Sequence, residues 1–188
     1  MSYKFQDIKI ISLILVGEST VGKTSIMRSF IGEEFSESSL SSIGIEVYTK
    51  DISIKKETCT IKIWDTCGQE RLRALSANYY KKADGVILVY DITSIDSFNN
   101  IEYWLNSINY YCKREIPIII IGNKIDEDTL NNFINEHSNI SMFNTSAKTG
   151  KGINEAFYYI AEEIYNFKKE YQIIELRDVN NIKSKSRC

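Results

Sequence analysis

Eight consecutive residues, Gly17-Glu18-Ser19-Thr20-Val21-Gly22-Lys23-Thr24, have the spacing GxxxxGK[ST]. Glycines at that spacing let successive backbone N–H groups curl around an anion, the Lys23 ammonium adds charge toward β- and γ-phosphate oxygens, and the Thr24 hydroxyl is a ligand for Mg²⁺. The segment sits where the mechanism needs it, after an apolar run and before a stretch carrying Ile26, Met27 and Phe30 at helical spacing, with Ser25 in the same first turn. Such a loop implies a nucleoside triphosphate without saying which: an adenylate-type kinase or an ATPase would use the same residues. The base must be read elsewhere in the chain.

The elements that position this loop are legible from periodicity. Short β-branched runs at Lys9–Val16, Glu46–Ile54, Thr60–Asp65, Gly85–Tyr90, Ile116–Ile121 and Ile140–Phe143 alternate with longer amphipathic stretches, the pattern of βα units feeding a mostly parallel sheet. Phe98, Ile101, Leu105, Ile108 and Cys112 recur at three- and four-residue steps, as do Ile153, Phe157, Ile160 and Ile164, which predicts helices packed on the sheet. The second and third strands follow one another around Lys56-Glu57-Thr58 with no helix between them, so they form a hairpin that adds an antiparallel edge. The expected fold class is α/β, a three-layer sandwich with a six-stranded mixed sheet and about five helices. Residues 1–170 form one domain, and 171–188 a flexible, polar, basic tail in which periodicity has faded.

With those elements in place, the chain from about Ile10 to Lys168 resembles the Ras superfamily of small GTPases, and within it the Rab family. Asn123-Lys124-Ile125-Asp126 matches the family's NKxD motif and Ser146-Ala147-Lys148 its SAK loop. The resemblance implies that the Asp126 carboxylate accepts the N1–H and 2-amino hydrogens of guanine, a donor pair that adenine lacks. A backbone N–H of the SAK loop would reach the guanine O6, and Phe35, seven residues before Ser42, would flank the ring. Trp64-Asp65-Thr66-Cys67-Gly68-Gln69-Glu70-Arg71 is similar to the Rab sequence WDTAGQER. By resemblance Asp65 holds a Mg²⁺ water, the Gly68 N–H meets the γ-phosphate, and Gln69 orients the attacking water. Ser42, in a stretch similar to the first switch, would be the second metal-ligating hydroxyl beside Thr24. These groups touch only the γ-phosphate and its metal, so they let go on hydrolysis. The implied activity is slow hydrolysis of GTP to GDP, used as a switch in vesicle traffic. The implied partners are an activating protein, an exchange factor, a chaperone for a prenyl tail, and effectors.

Several positions depart from the family. Ser42 stands for threonine, Cys67 for alanine, Thr20 for glycine or alanine, and Val47 for the phenylalanine that joins Trp64 and Tyr79 in an aromatic trio for effectors. The stretch from Asp126 to Ser146 is shorter than usual. Cys67, Ser42 and Thr20 keep open a non-hydrolysing GTP-binding docking module as an alternative, against which the retained Gln69 favours the enzyme. A Ras- or Rho-like signalling switch is disfavoured by Trp64, by Tyr79-Tyr80 and by the lack of an inserted helix after Asp126.

Composition bounds the rest. The formal charge is -2, but residues 168–188 carry six basic and three acidic side chains, leaving the body at -5. That asymmetry argues against nucleic acid for the body and points to a membrane-facing end, which the Rab resemblance implies lies on the cytoplasmic face of an endomembrane. The four cysteines show neither CxxC spacing nor the density of a disulfide scaffold, as expected of a reducing, intracellular compartment; a monomer is expected. Cys188, after Lys183-Ser184-Lys185-Ser186-Arg187, is the candidate for prenylation. It lacks both a second cysteine and a CaaX box.

Overall fold

The computed structural model describes residues 8–36, 45–66, 73–126 and 139–185, without the side chains of 45, 66, 73–77 and 174–185. In chain order the elements are β1 (Ile10–Val16), α1 (Lys23–Ile31), β2 (Ile45–Ile54), β3 (Glu57–Thr66), α2 (Arg73–Lys82), β4 (Gly85–Asp91), α3 (Ile95–Asn99), α4 (Ile101–Cys112), β5 (Ile118–Asn123), β6 (Ser141–Asn144) and α5 (Ile153–Lys185). The strands form one sheet in the order β2-β3-β1-β4-β5-β6. Only β2 runs antiparallel to its neighbour; β3, β1, β4, β5 and β6 pair in parallel. The six-stranded mixed sheet is the one expected.

Side-chain alternation along each strand divides the core in two. On one face Ile11, Leu13 and Leu15 of β1 pack with Ile61, Ile87 and Ile119 beneath α1 and α5. On the other, Ile14 and Val16 pack with Val86, Leu88 and Ile120 beneath α2 and α4. A parallel sheet covered on both faces requires this near-continuous apolar composition. The predicted helical stripes supply the outer layers: Ile101, Leu105, Ile108 and Cys112 are buried from α4, and Ile153, Phe157, Ile160 and Ile164 from α5. Phe157 stacks on Phe30 of α1 with centroids 3.9 Å apart, joining the two helices.

Three local details differ from the sequence expectation. The hairpin turns at Lys55-Lys56, both at positive φ (49° and 70°), with Ile54 opposite Glu57. Two consecutive left-handed residues match the right-handed twist of the flanking strands. The amphipathic stretch from Asp96 to Cys112 breaks at Asn100 into α3 and α4; Ser94 caps the first by accepting the Ser97 N–H at 3.3 Å. α5 continues as helix through Lys185, into the stretch 171–188 expected as a flexible tail. Apolar periodicity reports burial, and among the described side chains the last buried one in α5 is Tyr165. Helicity needs only good formers and no breakers, and the chain has neither Gly nor Pro after Gly152.

Candidate functional site

β1 is the strand from which the chain crosses to both sides of the sheet: its neighbours are β3 and β4. The carboxyl end of such a strand, where crossovers part in opposite directions, opens a crevice. Gly17–Gly22 fill that position and lead into the N-terminus of α1. Gly17 (φ +135°) passes so close to β4 that a Cβ would lie 2.1 Å from the Val89 carbonyl oxygen. Gly22 (φ +97°) packs under Asn123, whose Nδ2 would be 2.3 Å from an added Cβ. Only glycine meets both demands at these two places. Thr20 adopts φ 66°, a left-handed conformation that a β-branched residue takes at a cost, so strain is stored in the loop itself.

Lys23 is 5% exposed, and its ammonium donates to the carbonyls of Gly17 (2.9 Å) and Glu18 (2.5 Å). The charge is thereby held against the backbone of the loop itself. Thr24 Oγ1 donates to Asp65 Oδ2 at 2.6 Å, across 41 residues of sequence. Asp65 is fully buried at the end of β3, and its Oδ1 accepts no hydrogen bond among the described residues. Burial pushes its carboxyl up from the ordinary carboxylate value, against the Thr24 hydroxyl and the nearby Lys23, which pull it down. A buried carboxylate oxygen left without a donor beside a hydroxyl fits a hard divalent cation. Among the described residues no three His, Cys, Asp or Glu gather as a metal cage. Mg²⁺ suits this donor set, because it is commonly held by one or two protein oxygens together with phosphate.

The second half of the site is built on Asn123, 1% exposed at the end of β5. Its Nδ2 donates to the Val21 carbonyl at 3.0 Å, and its Oδ1 accepts from the Ala147 N–H (3.1 Å) and Thr145 Oγ1 (3.2 Å). One amide thus ties the phosphate loop to the segment after β6. Lys124 follows at φ 72° and forms a 2.6 Å ion pair with Asp91 at the end of β4. Burial alone would raise the Asp91 carboxyl, but Lys124 and both the hydroxyl and N–H of Thr93 outweigh it and hold Asp91 below its ordinary value. Ser146 Oγ donates to Asp126 Oδ1 at 2.5 Å and accepts the Thr149 N–H, which orients the Asp126 carboxylate from one side.

Thr20, Gly22, Ser25, Phe35, Asn123, Lys124, Asp126, Ala147 and Lys148 surround one cavity of about 400 Å³, within the range of small-ligand sites. Phe35 stands at its rim, 41% exposed. Part of the predicted phosphate segment (Thr20, Gly22, Ser25) and part of the predicted base segments (Asn123, Lys124, Asp126, Ala147, Lys148) therefore line one cleft from stretches far apart in the chain, whereas Lys23, Thr24 and Ser146 are not among the residues lining it. Ser19 is exposed on the loop, while Glu18 turns away from the cavity toward α4. Ser42, Gly68, Gln69, Cys67 and Cys188 lie outside the described residues. Of the aromatic trio, Trp64 and Tyr79 meet edge to face at 5.5 Å, and Val47 is paired with Trp64 across the hairpin and is 49% exposed. Sequence reasoning missed Asp91, Thr145, Asn100 and Trp104, whose contacts to the site residues follow no local spacing.

A protein-family model described as the Ras family matches residues 12–166. The chain is similar to the Ras-related protein Rab-11C of Dictyostelium discoideum, with 34% identity over 90% of this chain and 79% of that protein. It is 38% identical to Ras-related protein Rab-18-B of Danio rerio over 82% of this chain and 78% of the relative. With the GTP-binding protein ypt1 of Schizosaccharomyces pombe it shares 35% identity over 81% and 78% of the two chains.

Proposed function

Since this chain belongs to the Ras family and is a Rab-type small GTPase, we propose that Gly17–Thr24 hold the β- and γ-phosphates of GTP while Asp126 and the Ser146–Lys148 loop read its guanine. Proteins of this type bind GTP and GDP with Mg²⁺, hydrolyse GTP to GDP and phosphate, and act with regulators and effectors in vesicle traffic. What supports the residue assignment is Asn123, which joins the carbonyl of Val21 to the N–H of Ala147. A phosphate loop and a base pocket bolted together across one cleft suit a ligand that carries both a base and phosphates.

Each described residue then has a definite task. Lys23 trades two loop carbonyls for phosphate oxygens, and its charge offsets theirs. Thr24 and Asp65 would hold Mg²⁺, which when bound neutralises charge between the β- and γ-phosphates. Asp126, already oriented by Ser146, presents acceptors that guanine satisfies and adenine does not. Gln69 orients the attacking water, the Gly68 N–H meets the γ-phosphate, and Ser42 would be a further hydroxyl ligand for Mg²⁺. Rapid turnover awaits an activating protein, whose arginine accelerates the reaction by about 10³ to 10⁵-fold. Membrane attachment uses a prenyl group on Cys188. A single lipid chain anchors only marginally, and the basic residues Arg177, Lys183, Lys185 and Arg187 add attraction to anionic lipid on a cytoplasmic membrane face.

Single-turnover GTP hydrolysis by wild type and Gln69→Leu tests the reading. Hydrolysis should slow in the variant with GTP affinity unchanged. Equal rates in both proteins, even with an activating partner, would favour the docking module that holds nucleotide without hydrolysing it. Intact mass of the protein from its own cell, compared with Cys188→Ser, decides the lipid.

A further inference from the structure

Glu18 is an acid inside a loop read as surrounding an anion. Its carboxylate is the nearest rival for the backbone N–H groups and the ammonium that would grip phosphate, and like charge would repel the ligand. The structure turns it away. Glu18 Oε1 accepts from Trp104 Nε1 at 3.1 Å and from Asn100 Nδ2 at 3.1 Å. Asn100 is the residue at the break between α3 and α4, and Trp104 follows one helical turn later, its N–H bonded to the Asn100 carbonyl at 3.1 Å. Residues four apart share a helix face, so both donors converge on one oxygen. The same Glu18, through its carbonyl, holds the Lys23 ammonium.

We propose that Trp104 and Asn100 are positioning residues for nucleotide binding, acting through Glu18: they hold its side chain against α4, and so keep the Gly17–Thr24 loop in place and lengthen the residence of the bound nucleotide. The proposal rests on the reading of Gly17–Thr24 as the phosphate loop. A merely structural Trp104 would act through its ring, which meets Tyr103 edge to face at 5.8 Å. A latch acts through its N–H and depends on the acid it binds.

The test is release of a fluorescent GDP analogue from the full chain in excess Mg²⁺, chased with unlabelled GDP. Trp104→Phe keeps an aromatic ring and removes the donor, and should speed release roughly three- to tenfold, as loss of one partly exposed bond to a charged acceptor implies. Asn100→Ala removes the other donor without touching a ring and should act in the same direction. In a Glu18→Ala background the Trp104→Phe effect should shrink to less than about 1.5-fold, because coupled residues are not additive. Glu18→Gln keeps the acceptor oxygen and should preserve most of the dependence on Trp104. An equal fold-change with and without Glu18 would overturn the latch in favour of packing, and so would wild-type release rates in both donor variants. Failure of the wild type to retain guanine nucleotide would instead overturn the reading of the loop, and it would show before any variant is made.

Discussion

Asn123→Ala cuts the side chain that links the two halves of the site. It deletes one donated and two accepted hydrogen bonds, to the Val21 carbonyl, the Ala147 N–H and Thr145 Oγ1. Net contributions of about 0.5 to 1.5 kcal/mol apply to each, and the Val21 carbonyl and Ala147 N–H are left in buried surroundings, so the total is about 2–4 kcal/mol. The three bonds connect segments of one cleft and no two layers of the core, so the loss falls on ligand binding before it falls on the fold. GDP affinity should drop roughly 30- to 900-fold. Equilibrium titration of nucleotide-depleted protein in Mg²⁺ measures it, with circular dichroism to verify that the variant is folded. Thr145→Val removes a single bond of the three and should cost about 1 kcal/mol, roughly a fivefold loss. A folded Asn123→Ala protein whose affinity falls by less than about threefold would refute the linking role given to Asn123. So would a Thr145→Val loss as large as that of Asn123→Ala.

Other outcomes follow from the same geometry. Thr20→Gly should relieve the left-handed strain at φ 66° and raise the urea midpoint by the equivalent of up to about 1 kcal/mol; an unchanged or lower midpoint counts against strain in the loop. Asp126→Asn should shift base preference toward xanthine, whose 2-oxo group suits an amide donor, and competition between GTP and ATP on the wild type must show strong preference for GTP. Asp91, held below its ordinary value while paired with Lys124, stabilises the fold while ionised. That contribution is present above the unfolded carboxylate value of about 4 and is lost as pH falls through the lower folded value. The stability gap between wild type and Asp91→Asn in urea should therefore be open at neutral pH and close under acid. A gap that widens toward low pH would contradict the assignment.

What could be read in the chain alone was whatever is contiguous or periodic. The phosphate loop is a run of eight residues whose geometry follows from two glycines and the start of a helix, so its residues announce both conformation and chemistry. The strands and the helical stripes of α4 and α5 are likewise written in spacing, because burial on one face imposes a period of two or near three and a half. The tertiary structure decided the rest. Nothing local brings Thr24 to Asp65, Lys124 to Asp91, or Glu18 to Trp104; each contact depends on the strand order β3-β1-β4-β5, which sets carboxyl ends side by side. How far α5 extends was equally beyond the pattern: among the described side chains the last buried one is Tyr165, while the helix runs on through Lys185. Motif residues advertise the ligand they contact. The residues that orient them, such as Thr145, Asn100 and Trp104, bond to other protein side chains, and any donor at the right place in space would serve. Their identity is therefore a property of the fold, and it becomes visible only when distant segments stand within hydrogen-bonding distance.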